Sequence, residues 1–211
     1  MKLFAVLILT CAGWAQVADS ANKTYKTKEG RDKVAASLDD PHRDGKQKPV
    51  ELVAAMNIKP GTTVADIGTG VGYMLPFLGK AVGPKGQVFG EDIQTDFLDR
   101  AKQKKAGNVT LILGTETDPK LPPNSVNIAL VLDVYHHFDY PDKMLAAIKS
   151  GLKPGAHLVI VDYYKSASPT PGHIRLERDE VVAEIEHNGF HLLSKRDHIP
   201  KSQYMLTFEN K

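Results

Sequence analysis

The chain has 211 residues, of which 42% are hydrophobic and 25% are charged. These values exclude a disordered or fibrous protein and favour one globular domain with at most a small appendage. The 27 basic and 25 acidic residues leave a net charge of only +2. Because so small a charge creates no strong field toward nucleic acid or an anionic membrane, we expect no nucleic-acid partner.

The N-terminus has the layout of a secretory signal peptide. An apolar run from Leu3 to Gly13 follows a basic start and precedes small residues, with cleavage expected after Ala15 or Ala18. The run is shorter than the roughly 20 apolar residues that span a bilayer. We therefore expect residues 1–18 to be removed and the protein to be periplasmic or secreted, without a stable membrane span. Lipid attachment at Cys11 is less favoured, because a threonine precedes it.

Residues 19–45 are polar and charged, which predicts a loose arm with at most one short helix that serves as a linker or a lid. Pro49 stands at a plausible first helical position, and this helix ends before Pro60-Gly61. The pattern assigns residues 46–211 to one domain.

From Thr63 onward the chain alternates short apolar runs with amphipathic stretches, which is typical of βαβ units on a parallel sheet. The predicted strands are Thr63–Ile67, Gln87–Glu91, Val109–Leu113, Val126–Leu132 and His157–Val161, with helices at Gly72–Val82, Thr95–Lys105, Pro141–Gly151 and Arg178–Asn188. Two further runs, Phe190–Ser194 and Gln203–Phe208, predict a terminal antiparallel hairpin. The fold class is therefore α/β with a mostly parallel seven-stranded sheet.

The most informative stretch is the glycine turn from Gly68 to Gly72, which follows the first predicted strand. Turns at the carboxyl end of a parallel strand bind nucleotides in α/β proteins. The spacing here is G-x-G-x-G, and Asp66 stands directly before the turn. A carboxylate at this place would repel a pyrophosphate but suits a cationic group. A turn required only for packing is the less favoured interpretation.

The second strand ends in Glu91-Asp92-Ile93, about 20 residues after the glycine turn. With both motifs, the sequence from Gln47 to the end resembles the class I S-adenosylmethionine-dependent methyltransferase family. The resemblance implies a three-layer Rossmann-like fold, S-adenosylmethionine as cofactor, and an acidic residue that accepts hydrogen bonds from both ribose hydroxyls. Alignment on the apolar residues gives this role to Asp92, with Glu91 as a near competitor.

The family's motifs imply a longer set of cofactor contacts. These are Asp66, Gly68, Thr69, Gly70, Gly72, Tyr73, Asp92, Ile93, Thr115, Glu116 and Asp133. Thr115 departs from the acidic residue that is common after the third strand, so Glu116 or backbone groups are alternatives there.

The fourth strand is followed by Asp133-Val134-Tyr135-His136-His137-Phe138. This segment is similar to a bacterial branch of the family that carries signal peptides and reads Asp-Val-Tyr-His here. His136 or His137 is expected to accept a proton from the methyl acceptor, and Tyr135 to orient the acceptor or face the sulfur. At least one histidine is expected only to pack. No metal site is predicted, because adjacent residues of an extended segment point to opposite sides.

The predicted activity is methyl transfer to a small-molecule acceptor, since the sequence contains no recognisable nucleic-acid module. A non-catalytic S-adenosylmethionine-binding protein on the same fold is the first alternative. A nicotinamide-dependent oxidoreductase is less favoured, because the G-x-G-x-x-G spacing is missing.

Overall fold

The computed structural model describes residues 16–168, 170 and 172–210. Most of the predicted signal peptide, residues 1–15, lies outside the described residues. Among the described residues, seven strands form one sheet: β1 (Thr63–Ile67), β2 (Gln87–Asp92), β3 (Val109–Leu113), β4 (Val126–Leu132), β5 (Leu152–Tyr163), β6 (Phe190–Ile199) and β7 (Gln203–Asn210). Their order is β3-β2-β1-β4-β5-β7-β6. Strands β1 to β5 run parallel, whereas β7 is antiparallel to β5 and β6, which confirms the predicted fold class.

In the described part of the chain, eight α-helices accompany the sheet: α1 (Asp19–Asn22), α2 (Lys28–Leu38), α3 (Arg43–Gln47), α4 (Pro49–Ala55), α5 (Leu75–Val82), α6 (Thr95–Ala101), α7 (Pro141–Gly151) and α8 (Arg178–His187). Short 3-10 helices cover Lys23–Lys26, Tyr135–His137 and Lys165–Ala167. Within the described part of the chain, no helix is long and apolar enough to cross a membrane.

Alternate residues of the strands face two separate cores, which makes the fold three-layered. Side chains of α7 and α8 pack on one face of the sheet, against residues such as Val131 and Ile160. Side chains of α4 and α5 pack on the opposite face, against residues such as Leu130 and Val161. A sheet covered on both faces needs apolar residues at successive positions, and this is why β4 reads as a continuous apolar run.

Most predicted boundaries agree with the structure, and the exceptions have local causes. The bounds of β1, β3, β4 and α7 are as predicted. Helix α5 begins at Leu75 instead of Gly72, because Gly72 itself has a positive φ of 79° that a right-handed helix cannot contain. Strand β5 begins at Leu152 instead of His157: Leu152 pairs with Val126, and an irregularity in the ladder accommodates the intervening Pro154-Gly155 turn.

The prediction of a loose arm with one short helix is wrong. Residues 19–47 form α1, a 3-10 turn, α2 and α3, and they pack on the sheet domain. The α2 helix begins at Thr27, whose side-chain oxygen accepts a hydrogen bond from the Gly30 N–H. Three ion pairs join α2 and its C-cap to α6 and the residues after it, namely Arg31–Asp96, Asp32–Arg100 and Asp39–Lys104. These ion pairs, together with the packing of Ala35 and Leu38 against Val71 and Phe97, explain why the arm is helical although its sequence is largely polar.

Candidate active site

A cavity of about 290 Å³ lies at the carboxyl ends of β1, β2 and β4, underneath the arm. The sheet order places the loops after β1 and β4 on either side of a topological switch point, which is where parallel sheets bind ligands. The predicted cofactor residues that line this cavity are Gly68, Thr69, Gly70, Asp92, Ile93, Glu116 and Asp133. Folding thus brings together residues from the carboxyl ends of four strands, β1 to β4.

The glycine turn forms one wall of the cavity, and its conformation requires a glycine at position 68. This residue has a φ of +68°, and a Cβ added there would lie 2.6 Å from Cγ1 of Val134. Any other side chain would therefore be strained and would displace the segment after β4. Gly70, with a φ of +57°, is also close to the arm, because an added Cβ would lie 3.0 Å from Cδ1 of Leu38.

Asp92 and Glu91, at the end of β2, hold the glycine turn by backbone hydrogen bonds. The Gly70 N–H donates to Oδ2 of Asp92 at 2.8 Å, and the Gly68 N–H donates to Oε2 of Glu91 at 3.2 Å. Oδ1 of Asp92 accepts from the Gln94 N–H at 2.8 Å. Each carboxylate oxygen can accept a second bond, so Asp92 keeps acceptor capacity for two ligand hydroxyls. Oε1 of Glu91 is buried and has no partner within the described chain, and a ligand donor would satisfy it.

Several carboxyl groups surround the cavity, and four of those described have a raised pKa. Burial is the main cause for all four: it raises the pKa of Asp92 to about 6, those of Asp66 and Asp133 to about 7, and that of Glu91 to about 8. Nearby carboxylates add to the effect, for example Asp92 on Glu91. A cationic ligand would stabilise the ionised forms of these carboxyl groups, so the cavity favours the binding of positive charge.

Arg43 of α3 brings one positive charge from the arm to the cavity wall. Its guanidinium carbon lies 4.0 Å from the centre of the Tyr73 ring. The positive charge of Arg43 lowers the pKa values of Asp66 and Asp133 and so offsets part of the rise that burial causes. Arg43 was not predicted, because nothing in the polar arm distinguishes a guanidinium that reaches the site from one that faces solvent.

The remaining predicted cofactor residues lie around the cavity without lining it. Asp66 is buried and accepts a hydrogen bond from the Thr69 hydroxyl at 2.6 Å. The Tyr73 hydroxyl donates to Asp44 of the arm at 2.8 Å. Thr115 is exposed, and its N–H donates to the Asp118 carbonyl at 2.8 Å. Gly72 lies behind the turn, where an added Cβ would lie 3.0 Å from Ala101.

Tyr135 is buried, and its hydroxyl donates to Oε1 of Glu184 at 2.6 Å. It is not among the described residues that line the cavity. Its ring packs on Phe138, with centroids 5.4 Å apart, within the core beneath α7 and α8. These contacts are structural, and they direct the hydroxyl to α8 instead of to the glycine turn.

His136 is also buried, and Nδ1 lies 2.7 and 3.0 Å from the two carboxylate oxygens of Asp162, at the end of β5. Burial alone would lower the pKa of His136, but the charge and the hydrogen bond of Asp162, with Asp133 behind it, raise this pKa overall. His136 faces a smaller cavity beside Ile174 and Arg175.

His137 is the histidine that lines the main cavity. Burial, together with repulsion from His136 and His173, places its pKa well below the usual range, so the ring is neutral at pH 7. Nδ1 lies 2.9 Å from Oδ1 of Asn22, an arm residue that sequence reasoning did not identify. The neutral ring can therefore present Nε2 as an acceptor.

The premise behind the prediction of no metal site is wrong. Residues Tyr135–His137 form a 3-10 helix, not an extended segment, so the rings of His136 and His137 lie together with centroids 4.1 Å apart. His173, from the loop before α8, joins them with ring centroids 4.9 and 5.5 Å from the two. Sequence reasoning missed His173, because its loop contains no pattern that indicates where it folds back.

The arm closes the cavity from above. The Tyr25 ring lies 4.9 Å from the His137 ring and 6.1 Å from the Phe97 ring, measured between centroids. Asn22 Nδ2 donates to the Asp139 carboxylate at 3.0 Å. Of the two roles that the sequence left open for the arm, this position is that of a lid.

Known proteins resemble this chain in sequence and in fold. Residues 65–160 match a family model described as a methyltransferase domain. A structure of a SAM-dependent methyltransferase from Aquifex aeolicus is 29% identical, with a TM-score of 0.79 over 85% of this chain and 98% of the other. A SAM-dependent methyltransferase from Mesorhizobium loti, 13% identical, shares the fold with a TM-score of 0.63 over 75% of this chain and 95% of the other.

The ubiquinone/menaquinone biosynthesis C-methyltransferase UbiE of Burkholderia mallei is 29% identical over 121 residues, which is 56% of this chain and 49% of the relative. The match thus spans about half the length of this curated relative. The family model, over residues 65–160, includes the glycine turn and the carboxylates around the cavity.

Proposed function

Since the chain belongs to the class I S-adenosylmethionine-dependent methyltransferases, we propose that it transfers the methyl group of this cofactor to a small-molecule acceptor. The observation that carries the proposal is the contact between Asp92 and the glycine turn, 2.8 Å from the Gly70 N–H, on the wall of a cavity covered by the arm. This contact places a carboxylate that can accept from ribose hydroxyls next to a glycine backbone that a bound cofactor can approach closely.

The residues around the cavity fit the cofactor chemically. Asp92 would accept hydrogen bonds from the ribose hydroxyls, while Asp66 and Asp133 supply negative charge for the cationic methionine end. Arg43 would pair with the cofactor's carboxylate, as a guanidinium does with carboxylates in general. When bound, S-adenosylmethionine supplies a methyl carbon that is electrophilic because it is attached to a positively charged sulfur.

The protein's own contribution to the transfer is positioning, exclusion of water and removal of a proton. Tyr25, Leu38 and Asn22 bring the arm over the cavity, and such coverage excludes water from the reacting groups. Nε2 of His137 is a proton acceptor on the cavity wall, held in orientation by Asn22 at Nδ1. Tyr135 and His136 line the smaller cavity instead, and their role would be to hold the segment that carries His137 in place.

The comparison with UbiE supports a small-molecule acceptor. The relative UbiE is named for C-methylation in quinone biosynthesis, which is chemistry on a small molecule. Methylation of carbon requires loss of a proton from an enol, phenol or carbon acid, and the neutral His137 ring has a free nitrogen that can accept it. The lowered pKa of this ring makes it a weak base, which favours acceptors that are themselves acidic.

The test is a transfer assay with methyl-labelled S-adenosylmethionine and a panel of phenols, enolisable carbon acids, thiols and amines. We expect label in one class of product and loss of at least tenfold in rate for His137→Gln at an unchanged cofactor Kd. Cofactor binding without transfer to any class would favour the non-catalytic alternative, and binding of a nicotinamide cofactor alone would favour the oxidoreductase.

We also propose that the protein is exported, on the strength of its N-terminal sequence pattern. Cleavage after Ala15 is the better supported of the two sites. The N–H groups of Val17 and Ala18 donate to the carbonyl and the carboxylate of Asp139, each at 3.2 Å, and cleavage after Ala18 would remove both bonds. The intact mass of the protein from a periplasmic fraction tests this, since full-length protein confined to the cytosol would contradict export.

A further inference from the structure

We infer that His136, His137 and His173 form a binding site for a divalent transition-metal cation of the Zn²⁺ type, beside the cofactor cavity. One nitrogen from each ring can be chosen so that all three lie within 4.8 Å of one another. Imidazole nitrogen is the common protein ligand of such cations. Two ligands come from the 3-10 helix after β4, and the third comes from the loop between β5 and α8.

The hydrogen bonds of His137 determine which of its nitrogens is free. Asn22 Nδ2 donates to the His137 carbonyl and to the Asp139 carboxylate, each at 3.0 Å. These two acceptors fix the orientation of the amide, so Oδ1 is the atom that faces the His137 ring, at 2.9 Å. Because an amide oxygen only accepts, Nδ1 of His137 carries the hydrogen and Nε2 keeps its lone pair.

His136 is oriented in the same way by a carboxylate. Its Nδ1 lies between the two oxygens of Asp162, and Asp162 also accepts from the His136 backbone N–H at 3.1 Å. A carboxylate oxygen at Nδ1 leaves Nε2 as the nitrogen available to a cation. An acceptor on the far nitrogen of each ring is the arrangement that accompanies metal-binding histidines, because it fixes the ring and raises its basicity.

To bind a cation, the three histidine nitrogens need to move only slightly closer together. Zn–N bonds of about 2.0–2.1 Å in a tetrahedral site place the nitrogens about 3.3 Å apart. The rings of His136 and His137 are already adjacent, so most of the closure falls to His173. This residue lies on a loop outside the sheet and the α-helices, where displacement disturbs little packing.

Three protein ligands would leave one coordination position open, as in catalytic zinc sites. Of the three ligands, His137 lines the cofactor cavity, so the bound cation would lie at the edge of this cavity. A bound oxygen or sulfur would lose its proton more readily there. That role depends on the proposed methyl transfer, whereas the metal site itself does not. In the metal-loaded protein, His137 would serve as a ligand and would no longer accept the proton.

The experiment is calorimetric titration of Zn²⁺ into the chelator-treated full chain, purified without a histidine tag and without cofactor. We expect one ion per chain, with a loss in affinity of more than 100-fold for His173→Ala. Asn22→Ala keeps all three ligands but removes the acceptor on His137 Nδ1, together with the bonds that hold the amide in place, so it should lose about 10- to 100-fold, as outer-shell changes do. Loaded instead with Co²⁺, the site should show the intense visible absorption of tetrahedral coordination.

His191→Ala is the matched control, because His191 is half-exposed on β6 and lies outside the three-histidine cluster. It should bind Zn²⁺ as the unmodified chain does. Equal binding by the unmodified chain and His173→Ala, or no binding by either, would overturn the proposal. Binding of S-adenosylmethionine is titrated separately, so failure of the metal site and failure of the proposed function give different results.

Discussion

Asn22 and His137 contact each other twice, through Oδ1 and Nδ1 at 2.9 Å and through Nδ2 and the His137 carbonyl at 3.0 Å. This pair connects the arm to the segment after β4, across 115 residues of sequence. The lid and the proposed proton acceptor are therefore one structural unit, and opening of the arm would release the orientation of the His137 ring.

Asn22→Ala should loosen the arm without unfolding the sheet domain. We expect faster amide hydrogen exchange in α1 and α2, because two hydrogen bonds and the link to Asp139 are lost. Exchange in β4 and β5 should not change. Lys23→Ala, an exposed neighbour, is the control and should leave the exchange pattern as it is. Unchanged exchange in α1 and α2 of the Asn22 variant would show that the arm is held in another way.

The buried carboxyl groups predict opposite pH dependences for stability and for cofactor binding. Burial raises the pKa of Glu91 from 4.5 to about 8 and that of Asp92 from 3.8 to about 6. At pH values between the ordinary and the raised pKa of each group, the folded chain holds more protons than the unfolded chain. The contribution of these groups to the free energy of unfolding therefore falls as pH rises. A cationic cofactor should bind more tightly over the same rise, because it stabilises the ionised forms.

Denaturant unfolding of the cofactor-free protein at pH 5.5 and pH 8 tests this prediction. Glu91→Gln removes one titrating group, so its stability should fall less between the two pH values, by about 1 kcal/mol or more. That difference corresponds to roughly 2–4 °C in Tm for a chain of this size. Parallel pH dependences of the two proteins would show that Glu91 does not titrate in this window.

Arg43→Gln should weaken binding of S-adenosylmethionine about tenfold, the effect of losing one charge-assisted hydrogen bond. Binding of decarboxylated S-adenosylmethionine should not weaken, because that compound lacks the group that Arg43 is proposed to contact. Calorimetry with both compounds separates this role from general loss of the lid. Lys46→Gln, on the same helix but paired with Asp40 at the surface, is the control. An equal loss for both compounds would contradict the assigned contact.

Tyr135→Phe should affect stability and not the site. Removal of the hydroxyl breaks the 2.6 Å bond to Glu184, although Arg175 still contacts that carboxylate. We expect a loss of about 1–2 kcal/mol in the free energy of unfolding. The cofactor Kd and the transfer rate should stay within about twofold. Tyr140→Phe, partly exposed at the start of α7, should leave both properties unchanged. A large fall in the methyl-transfer rate at normal stability would show that the Tyr135 hydroxyl takes part in the reaction.

The sequence predicted the sheet because burial on both faces imposes a readable pattern. Strands β1, β3 and β4 are short apolar runs, and their ends agree with the structure. Asp92 was predicted in the same way, as the acid that follows an apolar run at a known distance from the glycine turn. Its position on the cavity wall, beside Gly70, is consistent with that assignment.

The arm and the histidine cluster could not be predicted by this kind of pattern. Helix α2 has few apolar residues and docks through ion pairs such as Arg31–Asp96, whose partners are 65 residues apart in sequence. His173 meets His136 only because its loop folds back over the end of β5. Contacts between distant polar side chains depend on the tertiary fold, and they leave no periodicity in the sequence.

Calorimetric titration of S-adenosylmethionine and its demethylated product determines whether the cavity binds the cofactor through Asp92. Asp92→Asn keeps the shape of the side chain, and Asp99→Asn is the exposed control on the same helix–strand unit. We expect one site per chain, at least tenfold weaker binding for the Asp92 variant and no change for the Asp99 variant, with all three proteins folded by circular dichroism. Equal affinity in all three proteins, or no binding to the unmodified chain, would overturn the assignment of Asp92 to the cofactor.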